Sequence, residues 1–241
     1  MSDPDFPYLE AHQELSFPSA EDATAEGIVA AGGNLSPGMI LSAYRQGIFP
    51  WFSEDDPILW WSPDPRCVLF TGKLHVSRSM SRVLRHRVFR FTLDQYFSGV
   101  IRSCASVPRP GQRGTWITGD MIEAYTKLYE LGYAHSIEVW QDTTLVGGLY
   151  GLSLGGMFFG ESMFSRATNA SKAAFIVLAR LLEAEGFDCL DCQLPTSHLA
   201  SLGAEVIPRK EYLAFLKGSL NRKNITGSWD FLLTNHPGCV G

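Results

Sequence analysis

The chain has 241 residues, 45% of them hydrophobic and 19% charged, with a net charge of −5 at neutral pH. That composition belongs to an ordinary globular protein able to bury a sizeable core, as one large domain or as a small one packed on a medium one. It excludes a membrane-spanning helix, since no stretch approaches the roughly 20 apolar residues needed to cross a bilayer.

The acidic start Ser2-Asp3-Pro4-Asp5 lacks the basic and apolar regions of a signal peptide. Five cysteines are too few and too unevenly spread for a disulfide framework, so a reducing cytoplasm is expected. Charge is distributed unevenly. Residues 1–56 hold ten acids against a single base, Arg45, whereas Arg66 to Leu93 holds seven Lys or Arg and no acid. An acidic whole with one basic segment fits local nucleic-acid contact better than general polyanion binding.

In chain order, the N-terminal part is rich in Pro and Gly and contains one clear helix. Ser36 reads as its N-cap, Pro37 as its first residue and Gly47 as its stop, with Met39, Ile40, Ala43 and Tyr44 on one face. Trp51 to Pro65 reads as an aromatic, proline-rich connection, and a domain boundary is expected near Pro65, giving a small N-terminal domain (1–65) and a larger one (66–241). Next come a strand at Cys67–Phe70, a basic helix at Ser77–Arg85 and a strand at Phe89–Leu93. A helix opens at Asp94 with Phe97, Val100, Ile101 and Cys104 on its apolar stripe, and another spans 119–131, closed by Gly132. Strands follow at 135–140, 144–152 and 156–162, then a helix at 170–185 stopped by Gly186, a strand at 190–193 and a last helix at 210–216. Three consecutive strands followed by helix and strand predict a mixed α/β (α+β) sheet. The tail after Gly218 carries no clear pattern.

Two carboxylates stand among large apolar groups. Glu161 lies inside Phe158-Phe159-Gly160-Glu161-Ser162-Met163-Phe164-Ser165-Arg166, and Asp191 inside Cys189-Leu190-Asp191-Cys192-Gln193. Unpaired and buried, such a charge costs several kcal/mol or is neutralised. Either the fold supplies the cation, with Glu161 paired to Arg166 or a lysine and Asp191 capping a neighbour, or a cationic substrate does. The basic helix places Arg78, Arg82 and Arg85 on one face; a solvated face is the usual meaning, and the lack of nearby acids favours phosphate contact.

These segments, with Gly47-Ile48-Phe49-Pro50-Trp51-Phe52, Leu59-Trp60-Trp61-Ser62-Pro63, His75-Val76-Ser77-Arg78-Ser79 and Gly114-Thr115-Trp116-Ile117, are where the chain resembles the leucyl/phenylalanyl-tRNA–protein transferases, from about Phe17 to Leu216. The resemblance implies a small N-terminal domain packed on a GNAT-like acyltransferase core. It implies transfer of Leu, Phe or Met from aminoacyl-tRNA to proteins whose N-terminal residue is Arg or Lys, marking them for N-end rule degradation. By the family's pattern, Glu161, Asp191 and Gln193 are catalytic. Glu161 and Asp191 jointly hold the acceptor's two cations by charge-assisted hydrogen bonds. Asp191 acts by positioning or as a base, and Gln193 orients or relays. The donor side chain falls to Leu149, Met163, Phe175, Leu178 and Leu190, a slot narrow at Cβ that favours Leu, Phe and Met over Val and Ile. Trp51 and Trp116, with Tyr125 as a further candidate, fall around the tRNA's terminal adenosine, where stacking contributes on the order of 1–3 kcal/mol. Trp60 and Trp61 read as structural. Ser81 stands where many relatives have a basic residue.

No metal or cofactor is implied, because the aminoacyl ester is already activated. Cys189 and Cys192 form a C-x-x-C, yet residues three apart on a strand face opposite ways. Gly147-Gly148 and Gly155-Gly156 fit no phosphate loop. A monomer is expected. The rivals are an acetyl-CoA-dependent N-acetyltransferase, which would want a pyrophosphate-binding loop that is not evident, a recognition module for basic N-termini and a non-catalytic RNA-binding module.

Overall fold

The computed structural model describes residues 6–107 and 115–241. The acidic start at residues 2–5 and Gly114 of the Gly114–Ile117 motif lie outside the described residues. The chain opens with β1 (Ile28–Ala31), α1 (Pro37–Arg45), β2 (Phe49–Pro50) and β3 (Leu59–Trp61), and the three strands form an antiparallel sheet of order β1-β3-β2. It continues with β4 (Arg66–Phe70), α2 (Arg78–Arg85), β5 (Arg90–Leu93), α3 (Phe97–Ser106) and α4 (Gly119–Glu130). Then come β6 (Ala134–Gln141), β7 (Thr144–Leu154), β8 (Met157–Ser165), α5 (Ala170–Ala184) and β9 (Cys189–Gln193). Finally α6 (Ser197–Ala200), β10 (Glu205–Ile207), α7 (Arg209–Ser219) and α8 (Phe231–Asn235) close the chain.

The larger sheet has seven strands in the order β10-β4-β9-β8-β7-β6-β5. Every neighbouring pair is antiparallel except β8 and β9, which run parallel and are joined through α5. This is the mixed sheet that the strand order predicts. Alternation along the strands sends side chains to two cores. Tyr150, Phe159 and Cys189 face α1, α3 and α4, while Leu149, Phe158 and Leu190 face α2 and α5. Among the described residues, no helix is long and apolar enough to cross a membrane.

Local chemistry explains the boundaries. After α1, Gly47 adopts φ +75° and its N–H donates to the Tyr44 carbonyl, while the Ile48 N–H donates to the Ala43 carbonyl. This paired closure of a helix end requires the left-handed conformation that glycine takes most easily. The α1 reading of one apolar face is too narrow, since Pro37 to Tyr44 are all buried. The preceding segment covers the helix, and a Cβ on Gly38 would sit 2.3 Å from the Glu10 carbonyl oxygen. The β7–β8 hairpin turns at Gly155 and Gly156, with Gly155 at φ +58°.

Two expectations fail for one reason. The helix read from Asp94 begins at Phe97, because Asp94 has φ +56° and serves as a buried acceptor instead of a cap. Its carboxylate accepts from the backbone N–H of Ser136 (2.8 Å) and of Trp229 (2.7 Å), and its Oδ2 lies 2.8 Å from His135 Nδ1. The patternless tail therefore carries core structure: Trp229 is fully buried and stacks on His135 at 3.8 Å. Isolated Asp and Trp carry no periodicity, so neither could announce this link. Asp94→Ala leaves the Ser136 and Trp229 amides without their acceptor and is expected to destabilise the fold by roughly 2–4 kcal/mol in urea unfolding. A loss below about 0.5 kcal/mol, the range of ordinary surface changes, would contradict that role.

Candidate active site

Pairing between β8 and β9 covers Met157–Cys189, Phe158–Leu190 and Phe159–Asp191 and then stops, although β8 runs on to Ser165. In the gap lies a cavity of about 500 Å³ whose lining comes from both faces of the sheet. Leu149, Met163, Phe175 and Leu190 supply the apolar side, and Trp51, Trp116, Glu161 and Gln193 complete it. The size suits a small-molecule or side-chain ligand.

Leu178 is not brought into this lining. It lies one helical turn beyond Phe175 on α5 and is buried in the core beneath α2 and α5. Tyr125 is likewise corrected. It is fully buried, so its ring cannot stack on an incoming base, and its hydroxyl donates instead to Glu161.

Glu161 is 8% exposed and accepts from Tyr44 Oη at 2.5 Å, Tyr125 Oη at 3.0 Å and Gln193 Nε2 at 3.2 Å. None of these donors is charged. Arg166 bonds Ser103 Oγ and the Leu145 carbonyl and lies over Phe164, so the internal pairing of Glu161 with Arg166 is not made. Burial raises the Glu161 pKa to about 7, against the lowering effect of the tyrosine hydroxyls. Both tyrosines are themselves raised well above their ordinary range, first by burial and then by the charge of Glu161. They stay protonated and remain donors.

Asp191 is different, and here the reading of a carboxylate waiting for substrate is overturned. Its oxygens are gripped by Arg66 Nε at 2.9 Å and Arg66 Nη2 at 2.7 Å, with both side chains 0% exposed. Tyr212 Oη donates to it at 2.7 Å and the Gln193 backbone N–H at 2.9 Å. Burial opposes the charge on Arg66, yet the neighbouring Asp191 carboxylate keeps the guanidinium's pKa above its ordinary value. The cation for Asp191 thus comes from β4, directly beside β9 in the sheet. Glu161 is left as the acidic side chain of the cavity lining.

Gln193 ends β9 with φ +62°, a conformation uncommon for a residue with a Cβ and frequent at functional positions. Trp51 is braced by Trp61, whose indole N–H donates to the Trp51 carbonyl at 2.6 Å. Trp60 is fully buried and donates to the Gly32 carbonyl at 3.0 Å. Arg78, Arg82 and Arg85 are exposed along α2, whose Met80 and Leu84 face the core.

Sequence reading missed Tyr44, Arg66, Tyr212 and His198. In the sequence Tyr44 reads only as part of an apolar helix face, and Arg66 as part of the basic segment, although it opens an otherwise apolar strand. That apolar context was the available signal. His198 lines the cavity, and burial lowers its pKa with Lys172 adding to the effect.

An apolar slot, two tryptophans and a carboxylate with no ion-pair partner among the described residues meet in one opening of the mixed sheet, an arrangement suited to group transfer. Two family profiles follow one another along the chain: the leucyl/phenylalanyl-tRNA protein transferase N-terminal domain matches residues 33–64, and the leucyl/phenylalanyl-tRNA protein transferase profile matches residues 68–217. The chain belongs to the leucyl/phenylalanyl-tRNA–protein transferase family. A relative of that name from Syntrophus aciditrophicus is 56% identical over 223 residues, covering 92% of each chain. One from Desulforapulum autotrophicum is 50% identical and covers 93% of this chain and 98% of its own. One from Pseudomonas fluorescens is 53% identical, covering 89% and 95%. Among solved structures, L-PGS from Bacillus licheniformis overlaps at a TM-score of 0.40 and 11% identity, covering 62% of this chain and 48% of that one.

The Glu161 environment makes a pH prediction. Its folded-state pKa, about 7, lies above the ordinary value of 4.5, so the native state binds this proton more tightly than the unfolded chain. Stability from this group is therefore fully present below pH 4.5 and is lost as pH rises through 7. Between pH 4 and pH 8 the wild type should lose about 3 kcal/mol relative to Glu161→Gln in denaturant unfolding. Parallel pH profiles for the two proteins would show that Glu161 has an ordinary pKa.

Proposed function

We propose that this chain transfers leucine, phenylalanine or methionine from aminoacyl-tRNA to the N-terminal amine of proteins beginning with Arg or Lys. The observation that carries the reading is Glu161: buried, without an ion-pair partner among the described residues, and facing an apolar slot and two tryptophans. The slot takes the donor side chain, and Trp51 and Trp116 take the tRNA's terminal adenosine.

In the reaction, the acceptor's amine nitrogen bonds the ester carbonyl carbon, and the bond from that carbon to the ribose oxygen breaks. The ammonium must first shed a proton. Its pKa is about 8, so a carboxyl that burial has raised toward that value is a better proton acceptor than an ordinary glutamate, even though contact with the ammonium lowers it again. Glu161 is thus suited to hold the α-ammonium and to take a first proton, which ends on the departing ribose oxygen. The second proton, which the nitrogen loses as the amide forms, returns to Glu161 and leaves to solvent. Tyr44 and Tyr125 keep its oxygens aimed, and Gln193 orients the reacting groups from the other side of the gap. Asp191, committed to Arg66, acts by positioning.

The exposed Arg78, Arg82 and Arg85 would contact tRNA phosphates. The division near Pro65 is supported by the two family profiles, which abut between residues 64 and 68. Action as a cytoplasmic monomer without cofactor, tagging proteins for degradation, completes the reading.

The test is transfer of radiolabelled leucine from Leu-tRNA to a peptide beginning with Arg, beside one beginning with Ala, with and without RNase. Label is expected only on the Arg peptide and only with intact tRNA; a bound but unlabelled peptide would instead mean a recognition module. Reversing Arg78 and Arg82 to Glu should raise KM for aminoacyl-tRNA on the order of tenfold and leave a minimal aminoacyl-adenosine donor unaffected. Equal loss with both donors would contradict the phosphate role.

A further inference from the structure

Arg66 has partners on both sides of the cavity. Toward β9 it grips Asp191, whose Oδ1 accepts the backbone N–H of Gln193 at 2.9 Å. That bond helps hold Gln193 in its left-handed turn, with Nε2 directed at Glu161. Toward the small sheet, Arg66 Nη1 donates to the Gly47 carbonyl at 3.2 Å. The guanidinium carbon lies 4.8 Å from the Phe49 ring and 4.6 Å from the Tyr212 ring. Phe49, Pro50 and Trp51 are consecutive wall residues of the cavity.

We infer that Arg66 is a positioning residue for the transfer reaction, one guanidinium that fixes the Phe49–Trp51 wall and the Asp191–Gln193 edge relative to each other. The inference rests on the transferase reading and deepens it. A buried ion pair adds little net stability over a well-packed apolar pair, so its distinctive contribution is geometry. Lysine would keep the charge but not the fork, which alone meets both carboxylate oxygens while reaching a third acceptor. The wall and the edge bear on different kinetic constants. Trp51 belongs to donor binding, and Gln193 and Glu161 belong to the chemical step.

The experiment compares wild type, Arg66→Lys, Asp191→Asn and the double variant, all assayed with Leu-tRNA and an Arg-initiated peptide. Arg66→Lys should lower kcat on the order of tenfold or more, since small misplacements of reacting groups are costly, and should raise KM for aminoacyl-tRNA. In the Asp191→Asn background, replacing Arg66 should lower kcat no further, because that route is already cut. The rise in KM should persist through Gly47 and Phe49. A merely structural role would reduce active enzyme alike in both backgrounds and leave KM unmoved, and that result overturns the inference. Should Arg66→Lys fail to fold, Tyr212→Phe keeps the ring over the guanidinium and removes the hydroxyl's 2.7 Å bond to Asp191 together with its 3.5 Å bond from Arg66 Nη2. It should lower kcat severalfold with KM unchanged, and lose that effect beside Asp191→Asn; an unaltered kcat overturns the inference. Wild-type enzyme that transfers nothing would fail the transferase reading itself, a result distinct from any failure confined to the variants.

Discussion

The bidentate pairing of Arg66 with Asp191 is the interaction on which the rest of the site depends. Two carboxylates face the same side of the sheet from adjacent strands, Glu161 on β8 and Asp191 on β9, and Arg66 ion-pairs with only one of them. Asp191 takes the guanidinium completely, with help from Tyr212. Left to itself, a buried Asp191 would have to be neutralised or hydrated. Paired, it becomes a fixed acceptor that shapes the turn at Gln193. The desolvation cost of the pair is set against four hydrogen bonds to the Asp191 carboxylate, close to the capacity of its oxygens.

What Asp191 receives, Glu161 lacks. Its donors are neutral phenols and an amide, which stabilise its charge less than a cation would. Burial therefore prevails and places its pKa near 7. A carboxyl group in this state stands close to the pKa of the amine it is proposed to meet. The same feature costs fold stability at neutral pH, the pattern expected where a site is arranged for chemistry. The gap between β8 and β9 brings that group together with the apolar slot, because strand alternation would otherwise keep Glu161 and Leu190 on opposite faces.

Much of the architecture was legible because long elements advertise their period. The α5 helix with its stop at Gly186, the β6–β7–β8 meander and the closure of α1 at Gly47 all follow from apolar spacing and glycine placement. The three short strands of the small sheet and β10 were not legible, since two to four residues are too few to show alternation. Within the site, the family resemblance pointed at Glu161, Gln193, Trp51, Trp116 and most of the slot, all of which line the cavity. It could not reveal partners. Arg66 and Asp191 are 125 positions apart and Tyr44 and Glu161 are 117 apart, and no local pattern reports contacts at that range. Leu178 and Tyr125 show the converse error: a motif names a position, while packing decides whether the side chain reaches the cavity or supports it from behind.

The most direct measurement is an infrared pH titration of protein carrying carbon-13 in its glutamate carboxyl groups, taken as the difference between wild type and Glu161→Gln. The account predicts that one carboxyl stretch, absent from the variant, converts to a carboxylate band with a midpoint near pH 7. It also predicts that saturation with an Arg-initiated peptide moves that midpoint downward, because an ammonium beside Glu161 favours the charged form. A Glu161 band that is already ionised at pH 5, or one indifferent to the peptide, would contradict the claim that this carboxylate stands without a cation until the acceptor arrives.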